Sequence, residues 1–184
     1  MKKSALRHGN HRKRITYLKE FVYGGIDGSV TTFAVVAGAT GGKLDTGVII
    51  VLGFANLIAD GFSMSVGNYL SEKSELDQAE AEAPLINHLS PLRTAGATFV
   101  SFILMGLVPL LVYIYSYLYE THTDRLFLYS CVLTGVSFLL IGFLRSHVTS
   151  AVWYRSILET LLLGSIAAVL AYFVGSILEG MISR

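Results

Sequence analysis

Five runs of about twenty mostly apolar residues, parted by short polar stretches, decide what this chain can become. They fall at residues 21–40, 47–70, 94–117, 126–144 and 157–178. At about 1.5 Å of helical rise per residue, each run is long enough to cross a hydrocarbon layer of about 30 Å. No water reaches the backbone inside such a layer, so each run must satisfy its own N–H and C=O groups by folding as an α-helix. With 53% hydrophobic and only 15% charged residues in a chain of 184, little is left over for a soluble domain. The expectation is an all-α membrane protein with five transmembrane helices, held as a multi-pass protein in a lipid bilayer. A bacterial inner membrane and a vacuolar-type membrane of a eukaryote fit equally.

Charge placement orients it. With the amino terminus in the cytosol, eleven of the fourteen Lys and Arg residues lie inside and only Lys43, Arg125 and Arg184 lie outside. That asymmetry follows the positive-inside rule and puts the carboxyl terminus outside or in a lumen. Residues 1–20 form a basic cytosolic arm, expected as a disordered tail that orients the protein rather than a nucleic-acid ligand. Residues 21–184 form the membrane domain, with an acidic cytosolic segment at 71–93. The second helix is expected to run on into that segment before Pro84 and Pro91 stop it. Trp153, Tyr154, Tyr117 and Tyr119 stand where interfacial aromatic anchors belong.

Several chemistries are excluded. Cys131 is the one cysteine, so there is no disulfide framework. His8, His11, His88, His122 and His147 fall in expected tails or loops and form no zinc-type pair. No nucleophile constellation is present, so the chain does not read as an enzyme, and no cofactor is implied.

The polar residues inside the apolar runs carry the functional reading. In NLIADGFSMSVGN, Asn56, Asp60, Met64 and Asn68 are spaced by four and share roughly one helix face, drifting slowly around it. Asp60 lies about 15 Å from the end of its run, too deep for so short a side chain to snorkel. Asp27, in YGGIDGSVTTF, lies about 9 Å into the first run, and Met64 is at a similar depth on a helix running the other way. Carboxylate oxygen with thioether sulfur suits Fe²⁺, and also Mn²⁺, Co²⁺ or Zn²⁺, better than Mg²⁺ or Ca²⁺. Buried acids on consecutive membrane helices point to an ion or proton path. Glu72 and Glu75, further along the same helix, are candidates for capturing the cation from the cytosol. Glu159, four residues after Arg155, is expected in an interfacial ion pair. Gly24 with Gly28, Gly164 with Ala168, and Ala171 with Gly175 are expected to mark close helix contacts.

On the stretches YGGIDGSVTTFAVVAGA, ADGFSMSVGNYLSEKSE, SFILMGLVPLLVY and ETLLLGSIAAVLAYFVG, the chain resembles the vacuolar iron transporter family, including its short, nodulin-like members. The resemblance covers all but the fourth run. It implies a five-helix homodimer that moves Fe²⁺, and sometimes Mn²⁺, out of the cytosol in exchange for protons. The family's first-helix aspartate falls on Asp27 and its second-helix methionine on Met64. Iron-transporting members carry a glutamate eight residues before that methionine, where this chain has Asn56, with Asp60 the candidate substitute. The family's large cytosolic metal-binding domain is reduced here to residues 71–93. The competing expectation is a non-transporting membrane scaffold whose buried polar residues glue helices together.

Overall fold

A computed structural model describes the backbone of residues 2–82, 90–121, 123, 125–149 and 152–183, with side chains from Tyr17 onward except at 79–82. The described residues are all-helical, and five of the helical stretches are long and apolar enough to span a membrane. The helices are α1 (Lys2–Gly41), α2 (Thr46–Glu82), α3 (Pro91–Gly106), α4 (Leu111–Leu118), α5 (Leu126–Thr149) and α6 (Trp153–Ile182). The third span is composite: α3 gives way to a 3-10 turn at Val108–Leu110 and resumes as α4. Pro109 explains the break, because it has no N–H to continue the ladder and its ring crowds the preceding turn. Ser130 of α5 donates to the Pro109 carbonyl at 2.7 Å, satisfying an acceptor at the break.

Three expectations shift. The amino-terminal arm is helical backbone continuous with α1 rather than a disordered tail, in keeping with a stretch free of proline. The helix α5 runs to Thr149, so His147 lies in its last turn, not in a loop, with Nδ1 3.1 Å from the Phe143 carbonyl oxygen. Glu159 pairs across helices with Arg145 at 2.8 Å instead of with Arg155. Positions 83–89 and 122, with Pro84, His88 and His122, lie outside the described residues, as do the side chains of His8 and His11.

The first span is the poorest in hydropathy and the most buried, which is the same fact seen twice. Its glycines and hydroxyls give little to lipid but let it sit among the other helices, and α1 touches α2, α3, α5 and α6. One core cluster joins Val36 and Ala39 of α1 to Ile49, Leu57, Phe102, Leu110 and Tyr113. A second joins Phe33 and Ala37 to Phe138 and Ala168.

Close contacts explain the small residues. A Cβ on Gly24 would lie 2.6 Å from the Thr98 carbonyl oxygen, and one on Gly28 would collide with the Phe102 carbonyl. A Cβ on Gly175 would strike the Gly38 carbonyl, and one on Gly164 the Phe138 ring. The α1–α2 turn passes through Lys43 at φ 52, where the Leu44 N–H reaches back to the Ala39 carbonyl at 3.0 Å. That long-reach bond closes the helix end in the manner of a Schellman motif.

Candidate functional site

Asp27 is half-buried on α1, and Asp60 is exposed on α2. The two carboxylates lie within electrostatic range of each other. The fourfold stripe is not uniform. Asn56, Met64 and Asn68 are partly buried, whereas Asp60 opens to the surroundings of the single chain. A step of four turns 400° around a helix, so the stripe drifts 40° at each step and its members meet different neighbours.

Met64 packs against the Leu57–Phe102 core cluster. The Nδ2 of Asn56 is buried and has no hydrogen-bond partner. Asn68 does not join the acids. Its Nδ2 donates to Glu20 Oε2 at 2.9 Å and to Thr98 Oγ1 at 2.7 Å, tying α1, α2 and α3 together. The Thr98 hydroxyl in turn donates to the Thr94 carbonyl at 3.1 Å, extending the chain of bonds along α3.

Glu72 is partly buried and Glu75 exposed, and Glu72 lies within electrostatic range of Glu75, Glu20 and Lys19. Sequence reading missed Glu20. Its signal was available, since seven residues before Asp27 is two helical turns and the same face of α1. Among the described residues no group of three His, Cys, Asp or Glu side chains stands close enough to hold a metal ion. Clefts of ≈ 380 Å³ between α1, α5 and α6 and of ≈ 540 Å³ between α1, α2 and α6 are lined by neither Asp27, Asp60 nor Met64.

One chain therefore offers a pair of acids on adjoining membrane helices, a thioether one turn beyond Asp60, and an open flank beside them. The donor set is hard oxygen with soft sulfur, suited to a borderline divalent cation.

Comparison with known sequences adds a second line. The sequence profile described as the VIT family matches residues 18–88 and 84–176, which takes in the fourth span as well. The chain is 24% identical to a "Vacuolar iron transporter" of Toxoplasma gondii over 93% of this chain and 79% of that protein. It is 27% identical to "Vacuolar iron transporter homolog 3" of Arabidopsis thaliana, over 94% of this chain and 88% of that one. With "Vacuolar iron transporter 1" of Eucalyptus grandis the identity is 23% over 84% of each.

Proposed function

We propose, since the chain belongs to the VIT family, that it exports Fe²⁺, with Mn²⁺ as the other candidate, from the cytosol in exchange for protons. It is a multi-pass membrane protein of a transport family and not an enzyme. The observation that carries the finer reading is that Asp27 on α1 and Asp60 on α2 lie within electrostatic range of each other. Two carboxylates in mutual reach within an apolar layer are costly to leave charged together. A divalent cation relieves that cost, and so does a proton. The same pair can therefore release one as it takes the other, which is the elementary act of antiport.

Met64, one turn from Asp60, adds a donor that favours transition metals over Mg²⁺ and Ca²⁺. Asn56 lies one turn on the other side of Asp60, and its buried amide nitrogen has no hydrogen-bond partner among the described residues. An amide nitrogen does not bind a cation, so Asn56 contributes through its carbonyl oxygen. Glu72 and Glu75 gather cations at the cytosolic end of α2, given the amino-terminus-inside orientation that Lys and Arg placement supports.

The open flank supports a homodimer. An aspartate exposed toward hydrocarbon costs about 2.5–3.5 kcal/mol on insertion scales, and a second copy of α2 would cover it. Around Asp60 the exposed face carries Ala55, Ala59, Ser63 and Gly67, small residues that allow two helices to approach closely. A dimer would also bring a second set of Asp27, Asp60 and Met64 to the seam.

Proteoliposome flux of Fe²⁺, Mn²⁺, Co²⁺ and Zn²⁺, with and without an imposed pH gradient, tests this reading. Asp27→Asn and Asp60→Asn are expected to abolish both metal flux and the accompanying proton movement. If both variants carry metal as the parent does, the acids are helix glue and the scaffold reading takes over.

A further inference from the structure

Away from the acids, on the opposite side of α1, two hydroxyl residues of α1, Ser29 and Thr32, stand level with two of α5, Ser137 and Thr134. Ser29 Oγ and Ser137 Oγ lie 3.0 Å apart, both buried, and Ser137 also donates to the Thr134 carbonyl at 2.8 Å. The two helices run antiparallel, because a Cβ on Gly25 would meet Ile141 while Ser29 meets Ser137 further along. Three residues onward from Ser29 is Thr32, and three residues back from Ser137 is Thr134. In antiparallel register these two steps arrive at the same level, one turn beyond the serine pair.

Thr32 and Thr134 are each 0% exposed, and neither hydroxyl has a hydrogen-bond partner among the described residues. Both are unusual for this chain. Thr31, Thr40, Thr98 and Thr160 all donate to the carbonyl four residues before them, the ordinary way for a threonine in a membrane helix to satisfy itself. The two threonines that forgo that bond stand at matching levels of one seam. A hydroxyl shut away from lipid and from its own backbone needs another partner, and buried water typically bridges several such groups at once.

We propose that water is a bound constituent of the α1–α5 seam, held by the hydroxyls of Thr32 and Thr134 one turn from the Ser29–Ser137 bond. Val36 of α1 and Phe138 of α5, each about one turn along its helix from these threonines, are fully or almost fully buried apolar residues. The site is separate from the Asp27–Asp60 pair and does not depend on what the protein transports.

Two measurements on the full chain in lipid nanodiscs or bilayers test it. In water-edited solid-state NMR of threonine- and valine-labelled protein, Thr32 and Thr134 should receive magnetisation from water well ahead of Val36. Equal and slow build-up at all three overturns the proposal. The second measurement uses Thr32→Val and Thr134→Val, which keep shape and remove the hydroxyl. At a hydrated site each lowers Tm, by about 2–4 °C, and the double variant falls little further because the first change already evicts the water. At a dry seam each removes an unpartnered polar group, and a rise in Tm for either variant overturns the proposal. Should a valine variant fail to fold, the NMR arm on the unaltered protein decides alone.

Discussion

A Cβ built on Gly106 would lie 2.7 Å from the carbonyl oxygen of Gly28, so α3 and α1 touch backbone to backbone immediately beside Asp27. The contact fixes the depth at which Asp27 sits relative to α3. Gly106→Ala or Gly28→Ala should therefore lower stability by about 1–3 kcal/mol, through forced separation of the two helices. Gly135→Ala is the control, because nothing lies within 4 Å of its added methyl, and it should be neutral or slightly stabilising. Thermal unfolding in detergent reads all three, and equal melting of Gly106→Ala and the parent would refute the close contact.

Asn68 is expected to matter more than its peripheral place suggests. Replacing it with Leu takes the donor from the Glu20 carboxylate, while the Thr98 hydroxyl keeps its bond to the Thr94 carbonyl, at a cost of about 1–3 kcal/mol. A double-mutant cycle of Asn68→Leu with Glu20→Gln should show a coupling of about 0.5–3 kcal/mol. Strict additivity would mean that the hydrogen bond carries no energy.

Met64 separates packing from chemistry. Met64→Leu conserves volume and should keep stability within about 1.5 kcal/mol of the parent. Its metal flux should nonetheless fall, because the sulfur donor is gone. Undiminished flux alongside unchanged melting would assign Met64 to the core cluster alone.

The Lys43–Glu179 ion pair, 3.0 Å long with the Lys43 side chain 75% exposed, joins the α1–α2 turn to α6. Such a pair is worth about 0–1 kcal/mol. Lys43→Ala should barely move the melting temperature, whereas Gly175→Ala, which drives a methyl into the Gly38 carbonyl, should lower it clearly. Comparable losses from the two variants would show that charge, not close packing, holds α6 to α1.

A homodimer through α2 predicts a disulfide across the seam. In a Cys131→Ser background, Ala59→Cys should form dimers on mild oxidation in native membranes, while Leu162→Cys on the outer face of α6 should not. The absence of any Ala59→Cys dimer would place the partner elsewhere.

The five spans were legible because hydrocarbon leaves a chain so few options. The central place of α1 was legible too, in glycines and hydroxyls that suit protein neighbours better than lipid. Asp27 and Asp60 stood out as acids in apolar runs, while Met64 drew notice only through its spacing from Asp60 and Asn56. What the drifting stripe did not reveal is which neighbours its members meet: Asp60 is exposed, whereas Asn68 bonds Glu20 and Thr98. Glu20 escaped because it sits at the edge of the first run, where an acid costs little and so draws no notice. The paired threonines were hidden for another reason, since only tertiary register shows that positions 32 and 134 stand level.

The bond from Ser130 to the Pro109 carbonyl has a mechanical side. Sliding the fourth span lengthwise by one residue would leave that buried carbonyl without its donor, at a cost of about 1–3 kcal/mol. Displacements that carry the broken third rod and its neighbour together escape this penalty, so the bond favours the two moving as a pair.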